Sequence, residues 1–175
     1  MSALDRSGAI GRRLPWLVLA GLVIGADQLS KEQVLATLQP GASVPVTDFF
    51  NLVLAFNRGA AFSFLNGAGG WQTHLFTLVG LAASAYLVLL LGRPATLPRM
   101  AAALALILGG ALGNVIDRLR YGHVVDFLDF HVRWLEALFP GGHFPAFNVA
   151  DSAISCGAAL LILDELLRQR RRAPA

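Results

Sequence analysis

Carboxylates and amides at the margins of apolar stretches are the residues here best equipped for chemistry. Asp27 and Lys31, then Asn114, Asp117 and Arg118, then Asn148 and Asp151 stand at such margins, with Asp126 and Asp129 between the last two groups. Two carboxylates held within a few ångströms cannot both ionise readily, so they share a proton and divide the roles of acid and base. Other chemistries lack their parts. His74, His123, His131 and His143 show neither His-x-x-x-His nor Glu-x-x-His spacing, so no metal is expected. No Gly-x-Ser-x-Gly occurs. Lys31 is the only lysine, so a Ser–Lys dyad would have to recruit it, and Ser30 beside it points to a different face. The single Cys156 lies in an apolar run and reads as a small buried helix residue. Carboxylate chemistry with water as nucleophile needs no cofactor, and none is expected.

Each polar group also has a plainer reading. Asp27 and Lys31, at i,i+4, fit a helix-surface ion pair. Asp117 could anchor a helix end through Arg118 or Arg120. Gly109, Gly110 and Gly113 form a small-residue face suited to close helix packing. Asp151 could be a first-turn acid complementing a helix dipole, and Asp126 and Asp129 could be solvated loop charges.

The elements that must position these groups are expected to be membrane helices. Of 175 residues, 55% are apolar and 14% charged, against about 25% charged in soluble domains. That length suits one domain. Four stretches approach the roughly 20 apolar residues that a bilayer requires, at about 14–35, 74–91, 100–116 and 149–167. They lack a period of two, which favours helices over barrel strands. A cleaved signal peptide ending at Ala26 is disfavoured, because Ile24 occupies the position where a small residue belongs. The net charge of +3 comes from arginines that flank these stretches: Arg12 and Arg13, Arg93 and Arg99, and Arg168 to Arg172. No basic stripe with interleaved aromatics accompanies them, which argues against nucleic acid. By the positive-inside rule both termini and residues 92–99 are cytoplasmic.

Two outer loops follow, at about 36–73 and 117–148. In the first, aromatic and β-branched runs on either side of Asn57-Arg58-Gly59 suggest a small hairpin or half-sheet from Phe49 to Leu65. In the second, His131 to Phe139 patterns as an interfacial amphipathic segment ended by Pro140-Gly141-Gly142. The expected fold is thus an all-α membrane protein, a four-helix transmembrane bundle with those outer additions. Its topology gathers the ionisable groups at one outer layer, where an intramembrane charge is a functional candidate by default. Topology does not choose among the acids.

Four segments resemble the signature boxes of the lipoprotein signal peptidase (signal peptidase II) family. They are Asp27-Gln28-Leu29-Ser30-Lys31, Asn57-Arg58-Gly59-Ala60-Ala61-Phe62-Ser63, Gly109 to Arg118 continuing through Gly122 to Phe127, and Phe147-Asn148-Val149-Ala150-Asp151-Ser152. They stand in the family's order and cover most of the chain. The stretch Val132–Pro140 makes the last loop several residues longer than in typical members. The resemblance implies an aspartic endopeptidase of the bacterial inner membrane that cleaves prolipoproteins just before a diacylglyceryl-modified cysteine. It implies Asp126 and Asp151 as the catalytic pair, with Asp27, Asn57, Asn114, Asp117, Arg118 and Asn148 lining or supporting the site. The implied partners are a lipid-modified prolipoprotein and membrane lipids, with the enzyme monomeric. The competing reading is a small proton- or ion-coupled transporter using the same acids. It would need ionisable groups through the bilayer, and the second stretch has none in its interior. A scaffold protein would leave the convergent Asp and Asn residues unexplained.

Overall fold

A computed structural model of the chain describes residues 3–59, 65, 67, 69–93 and 96–172. The apolar stretches form four long helices: α1 (Ala3–Thr37), α2 (Trp71–Leu91), α3 (Pro98–Tyr121) and α4 (Val149–Arg172). Both α2 and α3 are long and apolar enough to cross a membrane, with mean hydropathy 2.0 and 1.7. Large apolar side chains face outward on α1 (Leu14, Val18, Leu22), α2 (Leu78, Val79, Leu89) and α4 (Ile162, Leu163, Leu166). Water would penalise such a surface, and hydrocarbon would not.

The central helix is α3, which packs against α1, α2 and α4. Glycines make that approach possible. A Cβ at Gly109 would lie 2.7 Å from the Ala20 carbonyl of α1, and one at Gly113 would lie 2.7 Å from Asp27 Oδ2. A Cβ at Gly110 would strike the Ala150 carbonyl of α4. The small-residue face is therefore a packing face. From the other side, Gly157 of α4 seats against Ala103 and Ile107 of α3.

Gly122 ends α3 in the left-handed region (φ 75°), its N–H donating to the Arg118 carbonyl. The chain then turns at once into a strand. Three antiparallel strands form one sheet, β1 (Ser43–Thr47), β2 (Phe50–Asn57) and β3 (Val124–Phe130), in that order. The β2–β3 register sets Ala55 opposite Asp126 and Asn51 opposite Asp129, with an irregularity between Leu52 and Ala55.

The expected helices with a small β-hairpin or half-sheet are thus met, but the strands are placed differently in two respects. The described hairpin joins β1 to β2 and turns at Asp48–Phe49, ahead of the turn expected at Asn57-Arg58-Gly59. In β1, Ser43 and Thr47 flank Val44 and Val46, and Pro45 between the valines, which cannot donate to a ladder, sits on the edge strand where that lack is tolerated. Residues 60–64 of the expected second strand lie outside the described residues, and Leu65 is in a turn at φ 63°. The second is β3, which comes from the connection between α3 and α4 and adds a third strand.

The amphipathic segment is present as a 3-10 helix, Arg133–Ala137, with Leu135 buried and Trp134 and Leu138 about 70% exposed. Two apolar clusters bracket a polar layer. One contains Ala20 of α1 and Leu104 and Leu108 of α3. The other joins Val34 of α1 to Leu54, Val125 and Phe127 of the sheet. Along α1 and α3, the residues between those clusters include Asp27, Lys31, Asn114 and Asp117.

Candidate active site

Asp151 belongs to the start of α4. Asn148 occupies the N-cap position, and its Oδ1 accepts from the Asp151 N–H at 2.9 Å. Asp151 Oδ2 accepts in return from the Asn148 N–H at 3.3 Å. This reciprocal arrangement is a capping box with Asp in the usual Glu position. The intervening Ala150 N–H donates to Asp27 Oδ1 of α1 at 2.9 Å. Asp126 enters from β3, and both Asp126 and Asp151 line one cavity of about 550 Å³.

Three primary amides hold the two carboxylates. Asn148 Nδ2 donates to Asp126 Oδ1 at 2.8 Å, and Asn57 Nδ2 donates to Asp126 Oδ2 at 3.2 Å. Asn114 Nδ2 donates to Asp151 Oδ1 at 2.8 Å. Each amide oxygen is committed to a donor elsewhere: that of Asn57 to the Gly59 N–H, that of Asn114 to Lys31 Nζ, that of Asn148 to the Asp151 N–H. A backbone N–H or an ammonium can only donate, so these contacts settle which end of each amide faces the acids. Asn148 reaches both acids at once, Asp126 with its side chain and Asp151 with its backbone.

Asp126 is 3% exposed. Burial, and next the charge of Asp151, push its carboxyl up to about 7, against the opposing pull of Asn57, Lys31 and Asn148. A carboxyl in that range exchanges a proton at neutral pH, as acid–base catalysis requires.

Beneath the pair lies a buried ion cluster. Lys31 Nζ sits 2.8 Å from Asp27 Oδ2 and 2.7 Å from Asp117 Oδ2, with all three side chains almost wholly buried. Gln28 Nε2 donates to Asp117 Oδ1 at 2.8 Å, and the Val125 N–H donates to Asp117 Oδ2 at 3.1 Å. Asp27 and Lys31 are thus no surface pair, and Asp117 does not anchor the helix end through a neighbouring arginine. Arg120 instead meets Glu32 on the surface at 3.0 Å. Arg118 donates to the Gly59 carbonyl at 2.7 Å and lies over the Phe76 ring, tying the loop that carries Asn57 to α3.

The structure thus joins Asn57, Asn114 and Asn148 directly to the two acids, with Asp27, Asp117 and Arg118 one contact further out. Lys31 and Gln28 also belong to this layer. Their signal was the lone lysine four residues after Asp27, but a buried and an exposed pair share that spacing. Asp129 belongs elsewhere, accepting from Asn51 at 2.8 Å and facing His143. Cys156 is exposed and lines the cavity, contrary to the buried residue expected, because α4 turns Ala153 and Gly157 inward instead. Among the described residues no group of three or more His, Cys, Asp or Glu could hold a metal ion.

Comparison with known proteins places this architecture. The family described as signal peptidase (SPase) II matches residues 19–167. A lipoprotein signal peptidase of Ralstonia nicotianae is 60% identical over 90% of this chain and 87% of its own length. One from Paraburkholderia phytofirmans is 56% identical over 94% and 91%. Two solved bacterial membrane enzymes are similar in structure. The first has a TM-score of 0.78 at 30% identity, covering 92% of this chain and 93% of its own. The second has a TM-score of 0.71 at 32% identity, covering 87% and 92%. With the family matched across most of the chain and relatives this similar, the chain belongs to the signal peptidase II family, the lipoprotein signal peptidases.

Proposed function

We propose that the chain is an aspartic endopeptidase whose catalytic pair is Asp126 and Asp151. Its substrate is a diacylglyceryl-modified prolipoprotein, cut immediately before the lipidated cysteine. The observation that carries this reading is the joint hold of Asn148 on both carboxylates at the wall of one cavity.

The pair holds one proton between its two members. The ionised member takes a proton from water, and the resulting hydroxide attacks the scissile carbonyl. The protonated member polarises that carbonyl. The tetrahedral intermediate then expels the new amine, which receives a proton from the pair, so the peptide bond ends as a carboxylic acid and an amine and the pair is back to one proton. The acid then gives its proton to the amine or to water. Asn57, Asn114 and Asn148 hold the acids in place through this exchange, so geometry is set before substrate arrives.

In this reading all four long helices span the bacterial inner membrane as a single monomeric domain. Both termini are cytoplasmic, and the sheet and the pair stand at the outer face. The arginines flanking the apolar stretches support that orientation, and the outward apolar side chains of α1, α2 and α4 support the spans. A signal peptide is itself a membrane helix, so the substrate enters sideways from the bilayer.

The test is cleavage of a diacylglyceryl-modified prolipoprotein by Asp126→Asn and Asp151→Asn. Each should lose about 10²–10⁴-fold in rate, the scale of positioned acid–base catalysis, while membrane accumulation stays unchanged. Full activity in both variants would remove this pair.

A further inference from the structure

Asp129 is a buried carboxylate, 6% exposed, that the mechanism does not use. Asn51 Nδ2 of β2 donates to its Oδ2 at 2.8 Å, and His143 Nδ1 lies 3.0 and 2.9 Å from its two oxygens. A carboxylate kept out of water needs such partners, and these partners connect it to one particular segment. His143 begins the run His143–Phe147, which lies along β3 through bridges pairing His131 with His143 and Leu128 with Phe147. The His131 and His143 rings stand 4.8 Å apart.

Phe144, Pro145, Ala146 and Phe147 line the cavity that holds Asp126 and Asp151. The two ends of this wall are tethered to β3. At one end the Phe147 carbonyl accepts from the Phe127 and Leu128 N–H groups at 3.0 and 2.8 Å, and its N–H donates to the Leu128 carbonyl. At the other, the Phe144 N–H donates to the Phe130 carbonyl at 2.7 Å, and His143 meets Asp129. Between them Pro145 has no N–H to offer, so the middle of the wall depends on its ends.

We propose that Asp129, braced by Asn51 and acting through His143, is a positioning residue that fixes the Phe144–Phe147 wall against which the substrate segment at the scissile bond lies. The inference rests on reading this cavity as the active site. Loosening the wall weakens substrate binding. It leaves the acids alone, because their holders, Asn57, Asn114 and Asn148, are none of the groups that hold Asp129.

The experiment is steady-state cleavage of a diacylglyceryl-modified prolipoprotein by the full-length enzyme, comparing Asp129→Ala, His143→Ala, His143→Asn and Phe144→Leu with Asp126→Asn. Asp129→Ala and His143→Ala should raise KM about three- to five-fold, since the His143 side of this contact is half exposed and its hydrogen bond is partly screened, with kcat within about two-fold. Phe144→Leu should raise KM without touching Asp129. His143→Asn, whose amide nitrogen stands about where Nδ1 stood, should recover most of the wild-type KM. An unchanged KM in both His143→Ala and Phe144→Leu, beside an inactive Asp126→Asn, would overturn this inference alone. So would a fall in the active-enzyme fraction at constant KM, the mark of a merely structural role. Full activity in Asp126→Asn would overturn the active-site reading and this inference with it.

Discussion

Replacing Lys31 with Met keeps the length and apolar stem of the side chain and removes the charge that holds α1 to α3. Lys31 Nζ touches Asp27 at 2.8 Å, Asp117 at 2.7 Å and Asn114 Oδ1 at 3.1 Å, with the lysine 1% exposed. Removing one partner of a buried ion pair costs about 3–5 kcal/mol, because the remaining charge stays buried. Here two carboxylates are left at once, yet each retains donors. Asp117 keeps Gln28 and the Val125 N–H, and Asp27 keeps the Ala150 N–H. The expected loss therefore lies toward the lower end, about 3 kcal/mol. Denaturant unfolding of the detergent-solubilised protein measures it. Lys31→Met with Asp117→Asn should recover part of the loss, since the second change removes one stranded charge. Cleavage should fall as well, because the Asn114 oxygen loses Lys31 and its amide then holds Asp151 less firmly. A stability loss below about 1 kcal/mol, the range of exposed pairs, would refute the burial of this cluster.

Two further outcomes follow from the same geometry. The raised Asp126 carboxyl keeps its proton below about 7 and loses it above, so cleavage should decline along an alkaline limb. Asn57→Ala removes a hydrogen bond that lowers this group, so the limb should move to higher pH in a pH–rate profile; a downward move would contradict the assignment. The sign for stability is the same: the contribution of neutral Asp126 is complete below its ordinary 3.8 and is lost as pH rises through about 7. Gly110→Ala would drive a methyl group into the Ala150 carbonyl and Ile154 of α4. It should lower stability by about 1–3 kcal/mol in thermal melting, whereas Gly25→Ala, with nothing within 4 Å, should not.

Helix positions were readable because a long apolar run is a local property, and α2, expected at 74–91, forms at Trp71–Leu91. Strand β3 was not readable. Its run Val124–Phe130 has its partner on β2, in the connection between α1 and α2, and no local pattern reports a pairing at that distance. The polar layer was legible as a gathering but not as an arrangement. Asp117, Asp126 and Asp129 look alike as acids beside apolar residues, and what separates them is a neighbour supplied by another element: Lys31 for Asp117, Asn148 for Asp126, His143 for Asp129. The choice of Asp126 and Asp151 came from resemblance. The amides now give that choice a physical argument, because three NH₂ groups converge on those two carboxylates.

The capping box at Asn148 and Asp151 also bears on inhibition. Its Asn148 N–H, with the Asn114 amide on the other oxygen, settles the χ angles of Asp151 as α4 begins, so a ligand meeting this carboxylate has little side-chain freedom left to remove. The coupling also runs backward. A compound that draws Asp151 outward must break the bond from the Asn148 N–H, one half of the capping box, at a cost of about 0.5–1.5 kcal/mol, while the Asn148 Oδ1 cap on the Asp151 N–H stays in place. Tight ligands should therefore be those that approach along the oxygen directions the helix already offers, since any other approach gives up the reciprocal half of the capping box.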